Sequence, residues 1–174
     1  MSTDLVLENP MEALGDCFHV PDDEGLALWF TNNRVTIKAS GRSTGGAYSL
    51  WEALLAPRSS PPLHVHHRED ESFWVLEGIV SFRCGLDTFT GSPGSFVFLP
   101  RDIPHTFVAE GDAPARMLGL ATPGGLDEFF VAGGRDPEHD GLPPAAPPDI
   151  ALLQRISAQF GNEIVGPPLA PQLD

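Results

Sequence analysis

Along most of the chain, apolar residues recur in short alternating runs broken every few positions by glycine, proline or asparagine. This is the pattern of antiparallel strands joined by tight turns. Leu26–Phe30 and residues 35–39 are two such runs, separated by Thr-Asn-Asn-Arg, and residues 40–46 form a polar, glycine-rich loop. Residues 48–56 read as a longer strand. The PRSSPP stretch over 57–62 forbids helix and central strand, so it delivers the chain extended to His64. Residues 73–76 are strand-like and stop at Gly78; residues 79–84 and 88–90 form a hairpin around Gly85-Leu86-Asp87. Residues 95–99, His105–Ala109 and 116–121 complete the series. Many short strands with no internal repeat predict an all-β sandwich or barrel, present once. Helical spacing enters only late, over 126–132 between two Gly-Gly pairs and over 149–160, where Asp149 is placed to cap. The GLPPAAPP stretch over 141–148 is a stiff connector between them. The expected organisation is an N-terminal arm over 1–27, a β-barrel over 28–122 and a helical, proline-rich tail over 123–174 packed on the barrel. The arm carries a small apolar group at Leu14, Phe18 and Val20.

Composition narrows the class. A chain of 174 residues suits one domain with a sizeable core, and 18 Gly with 18 Pro favour turns over long helices. The formal net charge of −14 argues against a basic patch for nucleic acid or an anionic membrane. Cys17 and Cys84 form neither a disulfide framework nor a CxxC motif, and read as free thiols in a reducing compartment. The first residues lack a basic segment followed by an apolar one, and no run reaches the roughly 18 apolar residues of a membrane span. A cytoplasmic protein is expected.

The chemistry concentrates in PLHVHHREDESFWVLEG, residues 62–78. Side chains two apart on a strand share a face, so His64 and His66 converge on one point while His67 turns away. Glu71 opens the next strand and approaches the same point across a turn, and His105, in GSFVFLPRDIPH, is the best fourth ligand. Three neutral imidazoles and a carboxylate suit one divalent transition metal ion (Fe, Mn, Ni, Co, Cu or Zn) and are too nitrogen-rich for Ca or Mg. The absence of thiolates disfavours a closed structural zinc site, and a metal preferring five or six ligands keeps an open position for chemistry. His67, Arg68, Glu69 and Asp70 read as a solvated turn. Parity with Glu71 places Phe73 and Val75 inside the barrel, and Phe107 shares parity with His105. Either Phe96 and Phe98 or their neighbours face inward. Such a wall is the usual lining for a small organic substrate, and it is also how small barrels fill themselves.

His-x-His, four residues, Glu, six residues, Gly, running from His64 to Gly78, resembles the first motif of the cupins. Gly94, five residues, Pro100, then His105 resembles the second. The sequence departs from the family pattern at Arg58 and Asp102, where glycine is usual, and at Ala109, where asparagine is common. The resemblance implies a jelly-roll β-barrel with short C-terminal helices, and a metal held by His64, His66, Glu71 and His105. TPGGLDEFF and the tail after it are similar to bacterial single-domain cupins of the quercetin 2,3-dioxygenase-like kind, which implies cleavage of a flavonol or related enol by O2. In that reaction Glu71 would also accept the enol proton as catalytic base. Two other classes stay open: an O2-independent isomerase, cyclase or lyase, and a non-catalytic binder of a small ligand. The resemblance and the exposed barrel edges imply a homodimer, with a small-molecule substrate as the other partner.

Overall fold

The computed structural model describes residues 17–173. Among the described residues, eleven strands form two antiparallel sheets that face each other. Strands β1 (Leu26–Phe30), β2 (Asn33–Ala39), β3 (Ser49–Leu55), β5 (Asp70–Glu77), β8 (Phe96–Leu99) and β10 (Ala115–Thr122) make the larger sheet, in the order β1-β2-β3-β10-β5-β8. Strands β4 (Pro62–His66), β6 (Val80–Cys84), β7 (Asp87–Gly91), β9 (His105–Ala109) and β11 (Asn162–Pro168) make the other, in the order β11-β4-β9-β6-β7. Two helices, α1 (Leu126–Gly133) and α2 (Ile150–Phe160), lie between β10 and β11 in the chain. This is the jelly-roll arrangement expected from the sequence.

Strict alternation builds the core. On β3, Ser49, Trp51, Ala53 and Leu55 point inward; on β10, Ala115, Met117, Gly119 and Ala121 do the same. Gly119 stands between Trp51 on β3 and Phe73 on β5 in the cross-strand register. A Cβ there would overlap the Trp51 indole, so the absent side chain is the space the ring occupies. The inward rows of the two sheets meet in one apolar cluster that includes Ile37, Trp51, Phe73, Phe82, Leu99 and Met117.

Two of the family's glycine positions explain themselves in the backbone. Arg58 has φ 60° and Asp102 φ 63°, the left-handed region that glycine enters without strain. Aspartate tolerates it better than most residues, and Asp102 adds a hydrogen bond to His67 at 2.7 Å.

The tail differs from the sequence reading in one element. The two helices form where the spacing places them, and the Asp149 side chain accepts from the Leu152 amide at 2.9 Å, as a cap. After Gly161 ends α2 in the left-handed conformation, however, the chain continues as β11 and pairs along the outside of β4. NEIVGPP hides this strand because it contains two prolines and a glycine, and it is tolerated only at a sheet edge, with the register shifting at Gly166. The terminus is then held by the buried Glu110 carboxylate, which accepts from the amides of Gln172 at 2.9 Å and Leu173 at 3.1 Å. Of the N-terminal apolar group, Leu14 lies outside the described residues, Phe18 is exposed and Val20 is half-buried.

Candidate metal centre

Three strands converge on one point between the sheets. β4 contributes His64 and His66, β9 contributes His105 directly opposite His64 in the register, and β5 contributes Glu71 from the facing sheet. One nitrogen or carboxylate oxygen from each of the four lies within 4.8 Å of all the others. Glu71 Oε2 sits 3.0 Å from His105 Nε2 and 3.3 Å from His66 Nε2. The four residues that the sequence singled out are therefore brought together, and His67 is excluded from them. It faces outward, with Nδ1 on Asp102 and Nε2 3.5 Å from Glu163.

The ring orientations fit a metal. His64 Nδ1 lies 2.7 Å from the Pro62 carbonyl and His105 Nδ1 lies 2.9 Å from the Ile103 carbonyl. A carbonyl oxygen can only accept, so in each ring Nδ1 carries a proton and Nε2 is the nitrogen turned toward the centre, where it would ligate a metal. The electrostatics agree. Desolvation, together with the neighbouring His66 and His105, pushes His64 down to about 3, so it is a neutral ligand at any working pH. Burial alone would raise the Glu71 carboxyl, but His66 and the hydrogen bonds from His105 and His66 hold it well below the usual carboxylate range. Burial opposes a charge on His66, yet Glu71 outweighs it and raises that ring above its ordinary value. The proton held between this carboxylate and imidazole is what a dication would replace.

The centre lies in the wall of a cavity of about 570 Å3. His64, His66 and Glu71 reach its surface, while His105 lies behind them at 1% exposure. Trp51, Phe73, Phe107, Phe129, Phe130 and Met117 line much of the remainder. Phe73 meets Phe107 edge-on at 5.6 Å and Trp51 at 6.1 Å between ring centroids. Among the lining residues Arg58 is the one Arg or Lys, and it is paired with Asp112 at 3.2 Å.

Several expected positions need correction. Val75 does point inward, but it is fully buried behind the cavity and does not line it. Phe96 and Phe98 are not in the pocket. They are 59% and 52% exposed on the outer face of the edge strand β8. The reason is register: Val97 pairs with Phe73 and Leu99 with Glu71, and paired residues share a face, so Val97 and Leu99 are the inward ones. Glu69 is not part of a solvated turn either. It is 6% exposed and packs toward His66. Asp70 is the first residue of β5, and Arg101 grips its carboxylate with two nitrogens, holding the acid down to about 2. Sequence reasoning missed Trp51, Phe129 and Phe130 as cavity wall. The signal was present in the inward parity of Trp51 and in a Phe-Phe pair on an amphipathic helix.

The family described as Cupin domain matches residues 51–121, the stretch that holds all four ligands. That stretch is similar to a cupin domain. The chain is 23% identical over 142 residues to the quercetin 2,3-dioxygenase of Bacillus subtilis, an alignment that takes in 82% of the chain. The chain spans 42% of that relative's length. Among solved structures, the polyketide cyclase RemF of Streptomyces resistomycificus is 24% identical with TM-score 0.52, over 61% of this chain and 79% of its own. A sugar phosphate isomerase of the cupin superfamily from Silicibacter pomeroyi is 22% identical with TM-score 0.52, over 60% and 74%. At these identities the structural likeness is one of fold. No helix among the described residues is long and apolar enough to cross a membrane.

Proposed function

We propose that this protein is a cupin and a metal-dependent dioxygenase-like enzyme acting on a small enolisable aromatic substrate, of flavonol or polyketide type, with O2. The observation that carries the reading is the pairing of a His3Glu cluster with an aromatic cavity in which the one arginine is already paired and no lysine is present. A phosphorylated or carboxylated substrate would favour a free Arg or Lys beside the metal, whereas a neutral ring system needs the apolar faces the wall has. The likeness to quercetin 2,3-dioxygenase supports the same substrate class.

His64, His66, Glu71 and His105 would hold one divalent transition ion. When bound, it supplies an open coordination position with Lewis-acid and redox character. The chain's own residues do the rest. Glu71, an ionised carboxylate at the cavity surface, is the group placed to take the enol proton of a substrate. Phe73 and Phe107 fix the ring plane beside it, and the apolar wall keeps water from competing for the enolate.

Oxygen consumption by protein loaded separately with Fe, Mn, Ni, Co, Cu or Zn, with a panel of flavonols and other enolisable aromatics, tests this. Substrate-dependent O2 uptake is the expected result. Turnover without O2 uptake would move the reading to an isomerase, cyclase or lyase, and binding without turnover would make the protein a small-ligand binder.

A further inference from the structure

The three histidines of the cluster are supported unequally. His64 and His105 each place Nδ1 on a main-chain carbonyl two residues earlier in the chain. His66 has none: its Nδ1 is buried without a hydrogen-bond partner. On that side of the ring Glu69 Oε2 lies 3.9 Å from Nδ1, and it is itself buried and unpartnered. Asn162 of β11 stands opposite His66 in the register, and both its amide atoms are buried and unpartnered as well. Among the described residues, four of the five such atoms therefore surround one edge of one ring. Buried polar atoms are normally satisfied, so a group of them around a site marks unfinished local chemistry.

We propose that Glu69 is the positioning residue for His66. Its carboxylate, 3.9 Å from Nδ1, places a negative charge behind that ligand, which favours a proton on Nδ1 and so the tautomer that leaves Nε2 for the metal. The Asn162 amide closes the same polar spot from β11. A carboxylate behind a metal-binding imidazole makes it a stronger donor than a carbonyl does, so His66 becomes the most electron-rich of the three rings. The arrangement also explains a buried glutamate in a turn that composition alone would leave in water. The inference rests on the metal-centre reading and adds to it a residue that does not touch the metal.

Glu69→Gln tests it, because the amide keeps the shape and removes the charge. Dissociation constants for Co(II) and Zn(II), measured by chelator competition at one fixed pH, should weaken by about 10–100-fold. The metal-free variant should keep its melting temperature within a few degrees. Glu163→Gln, which removes an equal charge from the outward side of β11, should leave metal affinity unchanged. Should Glu69→Gln not fold, the zinc-loaded wild type still decides, since its His66 Nδ1 proton should be detectable by NMR and slow to exchange. Affinity within twofold of wild type for Glu69→Gln, or a His66 Nδ1 without a proton, would overturn the inference while leaving the metal centre intact. Failure of the wild type to bind any transition ion would remove the metal centre, and this inference with it.

Discussion

The inner and outer faces of β5 and β8 are both aromatic, and they differ in everything else. Inside, Phe73 lies in line with Glu71 and packs edge-on against Phe107 and Trp51, between the metal centre and the core. Outside, Trp74 and Phe96 lie 6.4 Å apart between centroids, beside an exposed Phe98. Residue type does not separate the two faces. The cross-strand register does, by setting Val97 rather than Phe96 against Phe73. An aromatic ring on the inner face therefore belongs to the site, and one on the outer face belongs to the surface of an edge strand.

The sharpest way to break this comparison is at the inner face next to the metal. Glu71→Gln should lower substrate-dependent turnover by about 10²–10⁴-fold. Circular dichroism should stay native, and a variant that keeps wild-type turnover would show that the inner face is not catalytic. One position further along the same face, Phe73→Ala should cost about 3–5 kcal/mol in denaturant unfolding. It should weaken substrate binding as well, since the same ring fills the core and lines the cavity.

The charge pair at the inner face gives a pH dependence with two limbs. His64 is held down to about 3 from an ordinary 6.5, so the unfolded chain binds that proton first and stability falls as pH drops below 6.5. His66 is raised above 6.5, so its contribution is complete below that value and is lost as pH rises through the folded one. Glu71, held below 4.5, adds a further loss only as pH falls under that value. Metal-free protein should thus melt highest near pH 6.5. The rise in melting temperature on adding metal should grow above that pH, because the proton on His66 no longer competes. A metal-induced rise that shrinks with pH would contradict the assignment.

The smallest effects belong to the outer face. Phe96→Ser and Phe98→Ser should change stability by no more than about 0.5 kcal/mol and leave metal and substrate binding alone. The homodimer expected from the sequence has its test on the same face. Size-exclusion over a range of concentrations should show a dimer that these variants weaken, and a monomer at every concentration would refute it.

How much of this was legible beforehand follows from which signals are local. His64, His66, Glu71 and His105 were readable because alternation on β4 and motif spacing both act within short stretches. Most strands were readable for the same reason. β11 was not, since a Pro- and Gly-containing segment becomes a strand only by finding the free edge of β4, a partner about a hundred positions away in the chain. The face taken by Phe96 and Phe98 depended on the β5–β8 register, which a four-residue strand does not encode by itself. Glu69 looked solvated because its neighbours are charged. Its burial comes from the way the turn folds back against β4 and β11, a tertiary fact with no signature in composition.

The account stands on the claim that one transition ion occupies the His3Glu cluster. Elemental analysis of purified wild-type protein beside His105→Asn, each after metal loading and desalting, tests it directly. One equivalent per chain in the wild type and well under one in the variant is the expected result. No stoichiometric transition metal in the wild type, or equal metal in both, would contradict it.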